Sequence, residues 1–529
     1  MPNTVPRAAW VGLVACLWLP ACSGGHEEVA SAGLPVVTTA QTVRFGTSNP
    51  MVTFDPHLAD TGPQFSTYLT LVYDGLTALN LASPFEPHPS LATSWKWPDD
   101  NTIDLTLRRG VRFIDGEPFD AHAAKANIDR LMELKGPRIN TVASMYAAEV
   151  LDDYELRLHL HFPDPTLLYN LGLSPGMMVS PAAFDNPDLD LNPVGTGPWL
   201  YDRARSTLGE VLRFVPKPDH FDPTYHDVPA IDVHELPDRR ARLNALISGQ
   251  IDLAIVGPTE AEPARDQGFG VTSRANRWFG LTILDRAGDL VPEMGDRRVR
   301  QALGFAVDRQ AIADAVYFGY ARPTSQPMHR VNLGHDPELE SFFSYDPDRA
   351  RALLDEAGID TFSFTVPVTA DSVPQYEAVQ AYLRRVGIDM RIKLIEPGSV
   401  AALARTRDFP VNTIGYPNFD PDSRHPAIWS VTAGFNPFGY EDPRLERLAG
   451  EAIRSLDDDL RARNYREYFN VVVKEVLTLV YLQIDDLVIY DADKLAGVRV
   501  GRYIDPMLRE IRIKSGAPVF AGVGRLPDS

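Results

Sequence analysis

The sequence predicts an α/β protein of several lobes, and three observations carry that reading. Its 529 residues exceed the roughly 100 to 200 of an ordinary domain, leaving room for two to four cores. Apolar residues make up 44% and charged residues 23%, a balance that folds and excludes a disordered tail or a coiled coil. Strand, helix and strand follow one another over residues 362–394, and a helix-to-strand unit covers 239–255, the order expected of sheets covered by helices.

At the N-terminus, Ala8 to Ala21 is the longest apolar stretch, too short to cross a bilayer stably, and reads as a signal peptide over residues 1–21. It ends in Leu19-Pro20-Ala21-Cys22, which resembles a bacterial lipobox, so Cys22 is the expected lipidation site; an ordinary cleaved signal is the alternative. Cleavage there leaves one sulfur and no intramolecular disulfide, because Cys16 and Cys22 are the two cysteines of the chain. Residues 22–40, rich in Ser, Gly, Glu, Ala and Thr, read as a flexible tether.

Thr42 to Gly46 is a short strand, and Tyr68 to Leu76 carries helical spacing. From Leu91 to Phe119 polar and apolar residues alternate around Asp99-Asp100-Asn101, predicting a hairpin, after which Asp120 caps a helix bearing Ala124, Ile128 and Leu131. Leu156, Leu158 and Leu160 mark another half-buried strand, so residues 86–192 form one compact insert. Strands resume at Val211–Val215 and Ile231–Leu236, followed by the helix Arg239–Ile247 and the strand Ile251–Ile255. Later come helices opened by Asp308 and by Asp346-Pro347, the strand Phe362–Val368, the helix Tyr376–Val386 and the strand Ile388–Leu394. Helices near 444–456 and 460–479 precede a last strand, Leu487–Tyr490.

Seven collinear segments resemble one family, the extracellular solute-binding proteins of the peptide/nickel class (family 5) that serve bacterial ABC importers. They are Tyr73-Asp74-Gly75-Leu76, Pro89 to Trp95, Leu107 to Gly116, Pro193-Val194-Gly195-Thr196-Gly197-Pro198, Ser248 to Asp252, Asp296 to Leu303 and Tyr345-Asp346-Pro347. The resemblance implies a two-lobed periplasmic-binding-protein-like type II fold with an extra inserted subdomain. Lobe I is then 41–85, 193–275 and 495–529, the insert 86–192 and lobe II 276–494. It also implies a monomer that closes on a small solute and passes it to permease and ATPase subunits, with no cofactor.

In peptide-binding members a second-lobe loop matching Gly415 to Asp422 places an aspartate for the peptide's amino terminus; here that position is Phe419, and Asp420 and Asp422 are the nearest acids. The expected ligand contacts are Asn49, Gly195, Thr196, Gly197, Tyr416, Asn418, Asp420, Trp429 and Asn436, with Trp278 as a further aromatic wall. Each has a plainer reading as a turn or core residue. His425 could ligate a metal chelate, although a lone loop histidine is more often solvated, and His159 and His161 lack a third ligand. The solute class stays open among oligopeptide, modified peptide, opine-like compound, oligosaccharide and metal chelate, and a sensing or envelope-regulating receptor is the alternative role.

The formal charge of -20, from 51 Lys+Arg against 71 Asp+Glu, argues against nucleic acid. No His-Glu-x-x-His, Walker or Gly-x-Gly-x-x-Gly motif occurs in the chain, so no enzyme chemistry is expected.

Overall fold

The computed structural model describes residues 42–59, 65–79, 86–396, 399–413, 415, 421–422, 425–501 and 506–514. The signal segment, the tether and Cys22 lie outside them.

A nine-stranded sheet runs through both lobes. Its order is Val411–Asn412, Gly270–Ile283, Thr478–Tyr490, Leu253–Val256, Thr42–Thr47, Ala230–Glu235, Val211–Pro216 and Trp199–Tyr201, with Ala321–Pro323 also paired to Thr478–Tyr490. Thr42–Thr47 lies parallel to both of its neighbours, Ala230–Glu235 and Leu253–Val256. Gly270–Ile283 and Thr478–Tyr490, of 14 and 13 residues, are the long members. Their lower halves pair Gly270 with Tyr490 beside the first lobe, and their upper halves pair Thr282 with Thr478 inside the second. The register shifts between Ala275 and Arg277, where the chain passes from one lobe to the other. A β-irregularity there bends the ladder and raises its local twist, which lets one sheet serve two cores.

Three main cores follow the lobes. Phe45, Phe54, Tyr68, Trp199, Phe214 and Ile231 fill the first. Leu91, Ile103, Leu105, Leu156, Leu158 and Ile128 fill the insert, behind the antiparallel sheet Ala92–Asp99, Thr102–Leu107, Glu155–Leu160, Met145–Asp152. Trp278, Leu281, Val366, Trp429, Tyr465 and Leu479 belong to the third. Val179, Ala183 and Leu189 pack in the first core, not in the insert, so the insert's apolar interior ends near Met178 rather than at 192. Leu495, Val498, Val500, Leu508 and Ile511 also pack in the first core.

Local sequence rules explain most elements. Asp120 accepts from the Ala123 N–H, Asp238 from Ala241, Asp308 from Ala311 and Asp346 from Arg349, each capping the helix that starts beside it. Phe362–Val368 and Ile388–Leu394 pair in parallel over seven residues, as the strand, helix, strand order requires. Several boundaries differ: the strand expected at Ile251–Ile255 runs Leu253–Val256 and the helix expected at Tyr376–Val386 runs Val373–Arg384, but the largest difference is near the C-terminus. The last long helix ends at Lys474, and a strand begins at Thr478, where a helix to 479 is predicted. Leu477 to Leu482 is buried throughout, so the run shows neither the 3.6 nor the 2 period that separates helix from strand.

The resembling motifs hold the architecture together. Asp74 is buried and accepts from Thr196 Oγ1 (3.0 Å) and Arg509 Nη1 (2.9 Å), and meets His220 Nε2 at 3.1 Å. Burial by itself would raise this carboxyl's pKa; Arg509 and His220 outweigh that and leave it well below the ordinary carboxylate range. Asp252 binds Arg44 through both oxygens and takes Lys494 at 2.7 Å. Asp296 caps the next helix, while Arg300 of that helix donates to the carbonyls of Met294 and Glu475.

The insert is locked to the first lobe by Arg130, which binds Asp55 at 2.5 Å and donates to His57 Nδ1 at 2.9 Å. Desolvation pushes the buried His57 down from 6.5 to about 4, with Asp55 pulling upward and Arg130 downward. A neutral buried imidazole that would charge when unfolded stabilises the fold fully above pH 6.5 and progressively less as pH falls toward 4. The expected loss over that window is on the order of 3 kcal/mol. Urea titrations from pH 7 to 4 on the parent and on His57→Gln check it: the variant's stability should fall less steeply by this amount, and equal slopes would refute it.

Candidate functional site

The cleft between the lobes is built from the ends of parallel strands on each side and from the crossing strands at its floor. In α/β sheets ligands sit beyond such strand ends. On the first lobe, Thr47–Asn49 follows the strand Thr42–Thr47. Asn49 is half-buried; its N–H donates to Thr47 Oγ1 (3.1 Å) and its carbonyl accepts from Tyr68 (2.7 Å). Glu235, at the end of the adjacent strand, accepts from the Met51 N–H at 2.8 Å and from Tyr68 at 3.3 Å. This braces the rim that Asn49 belongs to.

On the second lobe, Val411–Asn412 delivers the chain into the loop expected to meet the ligand. Thr413 Oγ1 donates to the Pro367 carbonyl (2.6 Å), and Tyr376 donates to the Gly280 carbonyl (2.8 Å). Gly415 runs so close to the crossing strand that a Cβ would stand 2.7 Å from the Trp278 carbonyl oxygen. At the loop's far end, Asp422 is buried against Arg461 at 2.5 Å and accepts from Tyr465. That acid therefore anchors the loop to helix Asp458–Lys474. Tyr416, Asn418, Phe419 and Asp420 lie outside the described residues.

The Tyr320 hydroxyl of the second lobe meets Arg265 (2.6 Å) and Glu262 (3.0 Å) of the first, and further contacts among the described residues include two weaker pairs. Arg239, in the first lobe, lies 3.8 Å from Asp371, which follows the strand Phe362–Val368 of the second. The Arg454 guanidinium sits over the Phe162 ring of the insert at 5.5 Å. Both pairs join partly exposed groups, so each contributes little by itself, in the range of surface ion pairs and exposed cation–π contacts. They suit an equilibrium that a bound solute can bias.

At the floor, Asn276 donates to the Gly501 carbonyl (2.9 Å), and Arg277 pairs with the buried Asp486 at 2.7 Å. Ser273 donates to Asp485 at 2.9 Å, and Arg322 reaches the same carboxylate at 3.6 Å. Arg274, in register with Asp486, is half-buried and makes no ion pair among the described residues. Desolvation lowers the pKa of its guanidinium. The nearby His329 is pushed down to about 4 by desolvation and then by Arg322 and Arg274.

The other expected contact residues have structural places. Gly195 and Gly197 press on the Val72–Tyr73 backbone, where a Cβ would come within 2.2 Å of the Val72 oxygen and 2.4 Å of its carbonyl carbon respectively. Thr196 is fully buried on Asp74. Trp429 is buried, with Nε1 donating to Thr478 Oγ1 (3.1 Å) and its ring edge-on to Tyr468 and Phe469. Trp278 is likewise in the second-lobe core. Asn436 donates to the Ser430 and Tyr440 carbonyls and accepts from the Tyr440 N–H, which engages its amide within its own loop. His425 is not solvated as a loop histidine would be: it is buried between Tyr468 (3.0 Å) and Glu446 (2.9 Å), with both ring nitrogens engaged. Among the described residues no group of three or more His, Cys, Asp or Glu is placed to hold a metal ion.

Comparison with known proteins decides the family. The model for bacterial extracellular solute-binding proteins, family 5, middle region, matches residues 86–436. The chain belongs to this family. It is a solute-binding protein of ABC importers and not an enzyme. Among its relatives are the glutathione-binding protein GsiB of Salmonella choleraesuis (strain SC-B67), 26% identical over 490 residues covering 85% of this chain and 91% of that one. GsiB of Escherichia coli O157:H7 is 25% identical over 417 residues, covering 73% and 78%. Among solved structures, NikA from Brucella suis in complex with Fe(III)-EDTA superposes with a TM-score of 0.79 at 25% identity, over 89% of this chain and 100% of that one. DppA from Helicobacter pylori in complex with the peptide STSA gives 0.74 at 22%, over 90% and 98%, a likeness of fold. The two-lobed α/β architecture of this family 5 protein is thus the one the motifs imply. Among its described residues no helix is long and apolar enough to cross a membrane.

Arg274, Glu235 and the Arg239–Asp371 pair escaped sequence reasoning, since no motif marks them. The one available signal was two arginines, Arg274 and Arg277, within a strand that holds no acidic residue, and surface arginines are too common for that to discriminate.

Proposed function

We propose that this protein captures a peptide-like solute bearing a carboxylate between its lobes and delivers it, as a monomer lipid-anchored through Cys22, to the permease of an ABC importer. The observation that carries the solute class is the likeness to glutathione-binding proteins along 85% of the chain. Arg274 supports it: a desolvated guanidinium that makes no ion pair among the described residues is free to donate to a solute carboxylate, and such charge-assisted pairs are strong when water is excluded.

A thermal-shift screen tests the reading with glutathione, di- to pentapeptides, sugars and nickel–histidine. Ligand at a hundred times Kd adds about 2.7 kcal/mol, a shift easily read. Glutathione or short peptides should stabilise the protein, and Arg274→Met should weaken those hits about ten- to a hundredfold while leaving the unliganded melt in place. Stabilisation by sugars or nickel–histidine alone would overturn it.

The anchor has its own test. Cys22→Ala should move the protein from the membrane fraction to the soluble one, since two or more acyl chains are what make such anchoring stable. Unchanged fractionation would reject it.

A further inference from the structure

Helix Asp458–Lys474 carries Arg463, Arg466, Asn470 and Lys474 at helical spacing, and with Arg297 and Arg444 these residues line a concavity of about 580 Å³ on the second lobe. The lining holds five cations, counting Arg297, Arg444, Arg463, Arg466 and Lys474, against two carboxylates, Glu467 and Glu475. The whole chain carries a formal charge of -20, so a basic concavity runs against its overall field. Part of the charge is neutralised locally: Arg444 meets Asp442 at 2.6 Å and Glu475 at 3.4 Å, and Arg297 meets Glu475 at 3.5 Å. Arg463 and Arg466 are exposed and make no ion pair among the described residues. None of the residues that line this groove is among those described at the cleft.

We propose that the groove is a docking site for an extended acidic segment of a partner protein. Length favours a polypeptide: Arg463 to Lys474 spans about 16 Å of helix, the reach of a strand of five or six residues. In such a strand, side chains on one face recur about every 6.6 Å, so two such steps cover about 13 Å, near the roughly 12 Å of helix from Arg466 to Lys474. Chemistry favours carboxylates on a peptide over a compact phosphate cluster. Glu467 lies among the arginines and would repel a dense anion, whereas a peptide brings backbone N–H donors that Glu467 can accept. Val471 supplies an apolar floor for the aliphatic part of a glutamate side chain. A flat anionic bilayer would meet the repulsion of a net negative molecule before reaching a recessed site.

The test titrates the full chain with labelled hexaglutamate at low salt by fluorescence anisotropy, alongside tripolyphosphate and vesicles containing phosphatidylglycerol. Hexaglutamate should bind, should weaken with added salt, and should lose about tenfold or more in affinity in the double variant Arg463→Glu/Arg466→Glu. The double variant Arg463→Gln/Arg466→Gln should show a smaller loss in the same direction. A control reversal outside the groove, Arg351→Glu, should leave hexaglutamate binding unchanged. Equal binding by the charge-reversed and parent proteins, tighter binding of tripolyphosphate, binding of vesicles alone, or no binding would each overturn the proposal. Solute affinity should be the same in all variants, so failure of the groove and failure of the cleft reading are separately visible.

Discussion

Asp74→Ala is expected to destabilise the first lobe by about 3–5 kcal/mol, the largest single effect foreseen here. The carboxylate sits fully buried between Arg509, His220 and Thr196, and removing it leaves the Arg509 guanidinium facing the carbonyls of Thr70 and Tyr73 and the Tyr225 ring, with no carboxylate partner among the described residues. Arg509 belongs to the C-terminal segment whose Leu508 and Ile511 complete the first core, so the loss should spread from a polar cluster into packing. Urea denaturation followed by tryptophan fluorescence checks it, Trp199 being part of that core. The sign of the pH dependence follows from the depressed pKa. The contribution is intact above the ordinary carboxylate value of 3.8 and is withdrawn only as pH falls below it. A variant within about 1 kcal/mol of the parent at pH 7 would show that the network adds nothing beyond its desolvation cost.

Asp422→Ala is the second. It takes from the buried Arg461 its buried partner, leaving the exposed Asp458 at 3.1 Å to compensate the charge in part, and removes the acceptor of Tyr465, again at a cost of about 3–5 kcal/mol. Its functional consequence should be larger than its stability effect suggests. Asp422 fixes the far end of the loop that leaves the sheet at Asn412, while Thr413 and Gly415 fix the near end. With one anchor gone the solute must order the loop on binding, and affinity should fall by more than tenfold even at temperatures where the variant is folded. Calorimetric titration with whichever solute the screen identifies measures that. Adding Arg461→Met in the same chain should recover much of the lost stability, because the uncompensated charge is then absent. Affinity should stay low, since the loop still lacks its tie. Recovery of both together would mean that the loop is held by other contacts.

The fold was legible wherever one element's pattern suffices. Phe362–Val368 and Ile388–Leu394 are read from β-branched and aromatic runs bounded by Gly387 and Gly358, and the structure pairs them residue for residue. Asp120, Asp308 and Asp346 announce their helices because an N-cap acts on a backbone N–H two or three residues away. The strand from Thr478 was misread at its start because burial on both faces erases periodicity. The candidate site was less legible. Gly195, Thr196 and Gly197 stand out as a glycine-rich turn, yet whether such a turn meets a ligand or a neighbouring backbone depends on the Val72–Tyr73 segment, more than a hundred residues earlier in the numbering. Trp429 and Asn436 likewise look like binding residues until their partners, Thr478 and the carbonyls of their own loop, are known.

By itself the sequence determined most element types and the family, because hydrophobic period, capping and turn chemistry act over a few residues and survive without knowledge of the fold. Tertiary structure alone decided the pairings: Asp74 with Arg509 across 435 positions, Arg239 against Asp371 over the cleft mouth, and Arg274 with no ion pair among the described residues. An ion pair is set by distance in space and by the dielectric around it, and neither is a property of neighbours along the chain.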